Sequence, residues 1–406
     1  MSQFVPLSGL RVVEYGHGIS TAFCGKLLAD MGAEIVKVEE APLGDPVRNY
    51  PPFIAGVSHP ERSAIFLYLN LGKKSVSIHP HTPAGDTTFA ALVSTADLLI
   101  SDGAGDTGWS AEGTLTEFRS ENPTLITLSL TPFGQTGPYR DNAATDLTVW
   151  HAGGYGHAFP GNVPDMDTFP PLNGPGRAAL YLAGTAAAVA AMHGLMLRRV
   201  TGLGSHIDHS EMESVASVMF ADIAAGQRDQ VRGPRQQAPG AVPSPPVAVL
   251  PCSNGYVAVS PREEHQWKRW VAVLGTPEWT SEERFKDNAS RERHWDEVWA
   301  LAAEWTRVRT KEEVHRLAQG SRVPCMSVNT VTDLINSDHL GARQYFQQID
   351  HPVAGSLIYP TRPYRVSTRA LPPPARAPLL GEHNEEVLTA LSHSPYVNRN
   401  EDGDPR

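Results

Sequence analysis

The stretch LRVVEYGHGISTAFCGKLLADMGAEIVKVEE, residues 10–40, decides the fold. Its first part, LRVVEYG, is a short β-branched run that ends in Gly16. A helical pattern, TAFCGKLLADMGA, follows, and EIVKVE then has the composition of a second strand. A strand, a helix and a strand within about thirty residues form a βαβ unit, which joins two parallel strands. The stretch therefore predicts a parallel sheet.

The same alternation continues along the chain. SVSI, DLLIS and PTLITLSLTPF have the composition of strands, and PAGDTTFAALVSTA has that of a helix. This order predicts a doubly wound, Rossmann-like α/β domain. The turn after the first strand, YGHGIST, contains no GxGxxG, so it does not indicate an NAD-type dinucleotide site.

Changes of composition divide the chain into three parts. The α/β pattern occupies residues 1–225, and SHIDHSEMES within it reads as a strand and a helix with Ser210 as the N-cap. RGPRQQAPGAVPSPP then breaks all periodicity and indicates a crossover. Amphipathic helices rich in Trp and charge follow, so residues 226–335 are expected to form a smaller α+β domain with its linker. Residues 336–406 contain a Pro-rich arm and a last short helix.

Composition excludes several classes of protein. The net charge of −10 argues against nucleic-acid binding, which needs a basic face. The three cysteines are far apart and lack CxxC spacing, so neither a disulfide framework nor a zinc site is expected. The first residues show no signal-peptide pattern, which favours the cytoplasm. AALYLAGTAAAVAAMHGLML has the length of a membrane span, but its Ala- and Gly-rich composition favours a core helix.

Three short motifs have competing interpretations. HIDHSE contains metal-ligand residue types, but His206 and Asp208 face one side of a strand and His209 the other, so no metal site is predicted. In NLGKKSV, Lys73 and Lys74 form either a solvated turn or a clamp for the phosphates of an anionic ligand. The glycine-marked loop TPFGQTGPYRD indicates a close approach of the backbone to another group. The absence of GxSxG argues against a hydrolase.

Taken together, the motifs resemble the class III CoA-transferases, the family of formyl-CoA transferase and carnitine CoA-transferase. The matching segments are LSGLRVVEYG, LLADMGAEIVKVEEAPLGDPVR, NLGKKSV, FGQTGPY, LRRVTGLGSHIDHSE, NGYVAVSP, RVPCMSV, HLGARQYF and LLGEHNEEVL. They cover nearly the whole chain. The resemblance implies a Rossmann-like large domain built from both chain ends, a small domain inserted late in the chain, and two protomers interlocked like linked rings.

The resemblance also implies a chemistry and a set of contacts. An aspartate at the start of a long helix attacks an acyl-CoA thioester, and CoA passes through an enzyme-bound thioester to a second carboxylic acid. CoA and acyl-CoA are substrates, and neither a tightly bound cofactor nor a metal is expected. Residues at matching positions would contact CoA: His17, Gly18, Arg48, Lys73, Lys74, Gly134 and Gly137.

The position of the family's nucleophile is occupied by a leucine. Counted without gaps from Pro171 or from Thr201–Gly202, the aspartate falls on Leu180, and Gly184 then falls on the helix glycine of the family. Leucine offers no nucleophile and no acid–base group. Asp165 and Asp167 lie upstream and would need a shift of more than ten residues to take this place.

Other positions depart from the family pattern in the same direction. Ile19 stands where the family often has a glutamine near the thioester, and Glu40 where an arginine meets the CoA phosphates. The related acyl-CoA racemases use a histidine and an aspartate, but the histidine position falls on Thr145. A racemase is therefore no better supported.

The sequence thus predicts a CoA-transferase subunit with a degenerate site, which supports a paralogous catalytic subunit and is inactive alone. By family analogy, the expected setting is a succinyl-CoA-dependent transferase for aromatic or benzylsuccinate-type acids. The alternatives are an active, interlocked homodimer that uses another carboxylate, and a non-catalytic acyl-CoA-binding protein. Neither nucleic acid nor membrane is an expected partner.

Overall fold

A computed structural model describes residues 5–79, 82–103, 109, 112–158, 170–220, 223, 247–367 and 373–392. These residues divide into two compact units. The first unit takes its described residues from 5–158, 170–223 and 344–392, and the second from 247–343. The domain limits at residues 225 and 335 that the sequence indicates remain predictions.

The first unit is built on a six-stranded parallel sheet in the order β3-β2-β1-β4-β5-β6. This confirms the predicted α/β class with a parallel sheet. Val13 pairs with Val36 of β2 on one side and with Leu99 of β4 on the other. The strands are β1 (Arg11–Tyr15), β2 (Glu34–Glu40), β3 (Lys74–Ile78), β4 (Leu98–Ser101), β5 (Ile126–Thr131) and β6 (His206–Ser210).

Helices cover both faces of this sheet, so its strands are hydrophobic on both sides. Val12 belongs to one buried cluster and its neighbour Val13 to another, because successive strand residues point to opposite faces. The helices up to β6 are α1 (Ile19–Asp30), α2 (Ala64–Leu69), α3 (Pro83–Ser94), α4 (Glu112–Glu121), α5 (Asp146–Ala152), α6 (Tyr155–Ala158) and α7 (Ala178–Thr201), with 3₁₀ turns at Pro46–Asn49, Ile54–Gly56 and Pro175–Arg177.

Helix α7 is the long apolar helix that the sequence predicts. Its buried face consists of small residues, including Ala183, Gly184 and Ala187, which lets it lie close against α1. It ends at Gly202, whose φ of 76° suits a glycine C-cap. By length and composition, the segment Pro175–Thr201 could also cross a membrane, and 33% of its most apolar window is buried.

The C-terminal part of the first unit begins with the antiparallel pair β10 (Phe346–His351) and β11 (Gly355–Pro360). The last helix, α15 (Asn384–Ser392), lies beside β3. His383 N–H donates to Ser75 O at 3.0 Å, and Asn384 Nδ2 donates to Ser77 O at 3.1 Å. Residues from both chain ends thus meet at the outer strand of the same sheet.

The second unit has a three-stranded antiparallel sheet, β7 (Ala248–Cys252), β8 (Gly255–Val259) and β9 (Cys325–Ser327). Its core is rich in tryptophan, as the sequence predicts, with Trp270 fully buried and Trp295 stacked on Trp299. The helices are α9 (Glu264–Val273), α10 (Asn288–Arg291), α11 (Trp295–Arg307), α12 (Lys311–Gly320), α13 (Val331–Ile335) and α14 (Asp338–Ala342), with 3₁₀ turns at Glu278–Ser281 and Glu283–Phe285.

Candidate active site

A cavity of about 340 Å³ opens at the carboxyl ends of the strands of the large sheet. The chain reverses its strand order between β1 and β4, and ligands of doubly wound folds bind in the crevice at such a point. His17 and Gly18 follow β1, Asp102 follows β4, and Glu211 follows β6, and all four line the cavity. The predicted CoA contacts His17 and Gly18 therefore lie at this site.

His17 is held between two carboxylates. Asp102 Oδ2 lies 3.1 Å from His17 Nδ1 and also accepts a hydrogen bond from the backbone N–H of His17. Glu40 Oε1 lies 3.4 Å from His17 Nε2 and accepts a hydrogen bond from the Tyr15 hydroxyl at 2.7 Å. The hydrogen bond to Asp102, followed by the charges of Asp102 and Glu40, raises the pKa of His17 above its ordinary value. These contacts favour the protonated, positively charged form of the imidazole.

Leu180 lies in the wall of the same cavity, in the first turn of α7. It packs against a hydrophobic cluster that contains Ile19. The two positions at which the resemblance implies polar groups are therefore both apolar, and they lie in one cluster. Gly184, one turn later, fixes this arrangement, because a Cβ there would lie 2.6 Å from Ser20 O and push α7 away from α1.

Glu211 supplies a carboxylate to the cavity from another wall. It is the first residue of helix α8 (Glu211–Ser217), which starts directly after β6 and is capped by Ser210, as predicted. The side chain is buried, and Ser20 Oγ donates a hydrogen bond to its Oε1. Burial, and to a smaller extent the charges of Asp146 and Asp102, raises the pKa of Glu211 to about 7, although the Ser20 hydrogen bond opposes this rise.

Among the buried carboxylates of the described residues, Glu211 differs from the others in its partners. Each of the others forms an ion pair with a lysine or an arginine: Glu14, Asp30, Glu39, Asp45 and Glu61. Glu211 has a hydroxyl partner, and no cation within ion-pair distance is found in the described part of the chain. A buried carboxylate without a counter-ion is unfavourable for stability, and such groups concentrate at functional sites.

Arg177 brings a permanent positive charge to the cavity. It precedes α7 and has a φ of 63°, a left-handed conformation that is strained for a side chain of this kind. Its guanidinium carbon lies 4.7 Å from the centre of the Tyr50 ring, which also lines the cavity. The cavity therefore combines the carboxylates of Asp102, Asp146 and Glu211 with a histidine and a guanidinium, and the guanidinium can meet an anionic substrate.

Two predicted CoA contacts are instead enclosed in a buried ionic network. Lys73 Nζ lies 2.7 Å from both Glu14 Oε2 and Ala22 O, with its side chain fully buried. Arg48 makes a two-point contact with Glu39, at 2.7 and 2.8 Å, and a third contact with Glu61 at 2.8 Å. These groups stabilise the strands internally, and neither lines the cavity. Their binding to CoA stays a prediction without support from this geometry.

Lys74 and the glycine-marked loop lie away from the cavity lining. Lys74 begins β3, at the amino end of the strand, and pairs with Glu34 at 3.5 Å and Glu386 at 2.8 Å. This end of the strand is opposite to the edge where the cavity opens, so the clamp of Lys73 and Lys74 stays a prediction without support from this geometry. Gly134 and Gly137 have φ values of 83° and 87°, which suit glycine, and they do not line the cavity either.

The structure describes two of the remaining predicted positions, Thr145 and His206. Thr145 lines the cavity, and its N–H is bonded to the side chain of Thr148. Asp165 and Asp167 lie outside the described residues. His206 Nε2 lies 2.6 Å from Gln135 Oε1, so it is engaged in a polar contact within the fold. In the part of the chain that the structure describes, no group of three or more His, Cys, Asp or Glu side chains is arranged to hold a metal ion.

Sequence reasoning missed the roles of Asp102, Asp146 and Glu211 in the cavity. Asp102 follows β4, Glu211 begins α8 directly after β6, and Asp146 begins α5. All three line the cavity at the same edge of the sheet. The rule that places ligands at the carboxyl ends of parallel strands could have identified Asp102 and Glu211. Asp146 also accepts a hydrogen bond from the backbone N–H of Leu180, at 3.4 Å.

This chain is similar to known proteins over almost its whole length. The family model of CoA-transferase family III matches residues 7–384. The chain is 29% identical to succinyl-CoA–D-citramalate CoA-transferase of Chloroflexus aurantiacus, over 95% of this chain and 94% of that protein. It is 28% identical to the succinyl-CoA:(R)-benzylsuccinate CoA-transferase subunit BbsE of Thauera aromatica, over 96% and 95%. A CAIB/BAIF family protein from Brucella suis has a similar solved structure, with a TM-score of 0.82, 27% identity, and coverage of 96% of this chain and 100% of that one.

Proposed function

The chain belongs to CoA-transferase family III, and from this premise we propose that it is a subunit of a CoA-transferase that moves CoA from an acyl-CoA to a carboxylic acid. Succinyl-CoA is the proposed donor, because two of the relatives named above are succinyl-CoA-dependent by name. CoA and acyl-CoA are substrates in this proposal, and no tightly bound cofactor is required. The cavity at the carboxyl ends of the strands, with His17 and Arg177 in its walls, is the proposed site.

In the simplest form of this proposal, the chain lacks the catalytic aspartate because residue 180 is a leucine. Leu180 lies in the cavity wall, at the position that the resemblance gives to the aspartate. A chain without that group can support an assembly in which a paralogous subunit carries the aspartate. In this form the chain alone is inactive, and the active enzyme is a cytoplasmic hetero-oligomer.

The surface of the first unit is compatible with such a partner. The outer side of α7 exposes large apolar side chains, with Met196 65% and Val200 85% exposed, near Leu203 at 57%. Apolar surface of this kind is commonly covered in an assembly. The relative BbsE is itself named as a subunit of a larger enzyme. We propose that a second family chain, in an interlocked arrangement, covers this side.

A second form of the same function is favoured by one observation. Glu211 places a buried carboxylate in the cavity that Leu180 also lines. In this form the chain is an active enzyme that uses a carboxylate at another position, as a homodimer or beside a paralogue. The two forms share the reaction and differ in which chain carries the nucleophile.

The experiment that tests the proposal measures CoA transfer from succinyl-CoA to a panel of mono- and dicarboxylic acids. The chain is assayed alone and after co-expression with an Asp-bearing paralogue, and native mass spectrometry reports the subunit composition. Transfer by either preparation supports the proposed function. Absence of transfer from both, with folded protein and a working paralogue control, contradicts it.

A further inference from the structure

We infer that Glu211 is the catalytic carboxylate of this chain, and that the nucleophile has moved from the start of α7 to the start of α8. This inference rests on the proposed function and decides between its two forms. It assigns to one residue the step that Leu180 cannot perform.

The position of Glu211 in the cavity supports this assignment. Glu211 and Leu180 line the same cavity from two different helices, α8 and α7. Ser20, whose hydroxyl holds the Glu211 carboxylate, is the residue next to Ile19. Ile19 occupies the position where the resemblance implies a polar group near the thioester. A carboxylate on Glu211 is therefore held beside the place where the reacting thioester is expected.

The contrast between apolar and charged side chains in the cavity supports the same assignment. Ile19 and Leu180 lie in one hydrophobic cluster. The part of the cavity wall where the resemblance implies polar groups is therefore lined by apolar side chains. Glu211 is the buried carboxylate that remains in the cavity without an ion-pair partner among the described residues. A group with a purely stabilising role would be expected to have a counter-ion, as the other buried carboxylates have.

The charge state of the Glu211 carboxyl group is consistent with a nucleophile. The charged residues that line the cavity around Glu211 are Asp102 after β4, Asp146 on α5, His17 after β1 and Arg177 before α7. With a pKa of about 7, a large fraction of Glu211 is ionised at neutral pH, and its basicity exceeds that of an ordinary carboxylate. Both properties favour nucleophilic attack at neutral or slightly alkaline pH.

The first half of the reaction is balanced without any further reactant. A Glu211 oxygen attacks the thioester carbonyl carbon of the acyl-CoA, the C–S bond breaks, and CoA leaves as a thiolate. The product is a mixed anhydride between Glu211 and the acyl group. The thiolate then attacks the Glu211 carbonyl carbon of the anhydride, the C–O bond breaks, and the acid is released. Glu211 is left as a thioester with CoA.

The second half reverses these steps with the acceptor acid. The acceptor carboxylate attacks the Glu211 thioester carbonyl and expels the CoA thiolate, which gives a new mixed anhydride. The thiolate attacks the acceptor's carbonyl carbon, and the free Glu211 carboxylate is regenerated. The products are the acceptor's CoA thioester and the acid formed in the first half.

The test compares Glu211→Gln, Glu211→Asp and the matched control Glu213→Gln in the full chain, with succinyl-CoA as donor. Glu213 lies on the same helix and is exposed. We expect Glu211→Gln to lower the transfer rate of the chain alone at least about 1,000-fold, because the nucleophile is lost. Glu211→Asp should retain measurable transfer, and Glu213→Gln should behave like the unchanged protein.

Between pH 6 and 8, the rate of the unchanged protein should rise about tenfold as a group with a pKa near 7 ionises.

Two other outcomes overturn the inference in distinguishable ways. If the chain transfers CoA only with an Asp-bearing paralogue, and Glu211→Gln leaves that activity unchanged, Glu211 is not the nucleophile, while the proposed function survives in its supporting form. If neither preparation transfers CoA, the proposed function fails together with the inference. Circular dichroism of each variant shows whether it folds, and the retained rate of Glu211→Asp separates a chemical role from a structural one.

Discussion

Replacement of Glu211 by glutamine should make the folded protein more stable, and the gain should grow with pH. In the folded state the pKa of Glu211 lies at about 7, above its ordinary value of 4.5. Below pH 4.5 the carboxyl is protonated in both the folded and the unfolded states, so no penalty exists. As the pH rises through 7, the folded state must hold a buried charge that the unfolded state exposes to water. Each pKa unit corresponds to about 1.4 kcal/mol, so the penalty approaches about 3 kcal/mol at pH 8.

Glutamine has nearly the same shape and can still accept the Ser20 hydrogen bond, but it carries no charge. The assay is urea unfolding of both proteins at pH 5 and pH 8, at one fixed protein concentration because an oligomer's stability depends on it. We expect a gap of about 2–3 kcal/mol in favour of the variant at pH 8 and below about 1 kcal/mol at pH 5. Glu213→Gln should show no such gap. If Glu211→Gln were equally or less stable at pH 8, the reasoning that Glu211 is a buried and uncompensated charge would be refuted.

Three further changes test other parts of the account. Leu180→Asp should not raise the transfer rate, because a carboxylate added to those of Glu211, Asp102 and Asp146 in the cavity raises the pKa of Glu211 further, and the pH–rate profile should shift to higher pH. Arg48→Met should lower the free energy of unfolding by about 3–5 kcal/mol in urea titrations, since Glu39 would be left as an unpaired buried charge. Arg177→Gln should raise the KM for a dicarboxylic acceptor at least about tenfold and affect a monocarboxylic acceptor of similar size less, because a two-point guanidinium–carboxylate contact is lost.

The fold was predictable because its signals are local. The βαβ pattern of residues 10–40 and the later strand and helix compositions give the six-stranded parallel sheet. Short motifs were harder to interpret, since neighbouring strand residues face opposite sides. Lys73 and Lys74 are adjacent in the sequence, yet one meets Glu14 in the interior and the other meets Glu386 at the surface. Adjacency in the sequence therefore does not show whether two lysines share a partner.

The site was only partly predictable. His17 directly follows the matching segment LSGLRVVEYG, Leu180 was located by counting from Pro171 and from Thr201–Gly202, and both line the cavity. From the sequence, Glu211 is only a residue of a metal-ligand type within HIDHSE, because its role depends on which side chains face it across the cavity. Ser20 is 191 residues away in the sequence, and a spacing argument cannot show that contact. Burial without a counter-ion is likewise visible only once the chain is folded.

The most direct test of the central claim is to identify the residue that becomes covalently linked to CoA. The full chain is incubated with succinyl-CoA without an acceptor, quenched with hydroxylamine, digested and analysed by tandem mass spectrometry. Hydroxylamine converts an activated carboxyl group, either an anhydride or a thioester, into a stable hydroxamate. The account predicts a hydroxamate on Glu211, and none on the Glu211→Gln chain. A hydroxamate on Asp102, Asp146 or another carboxylate, or transfer activity with Glu211 unmodified, would contradict it.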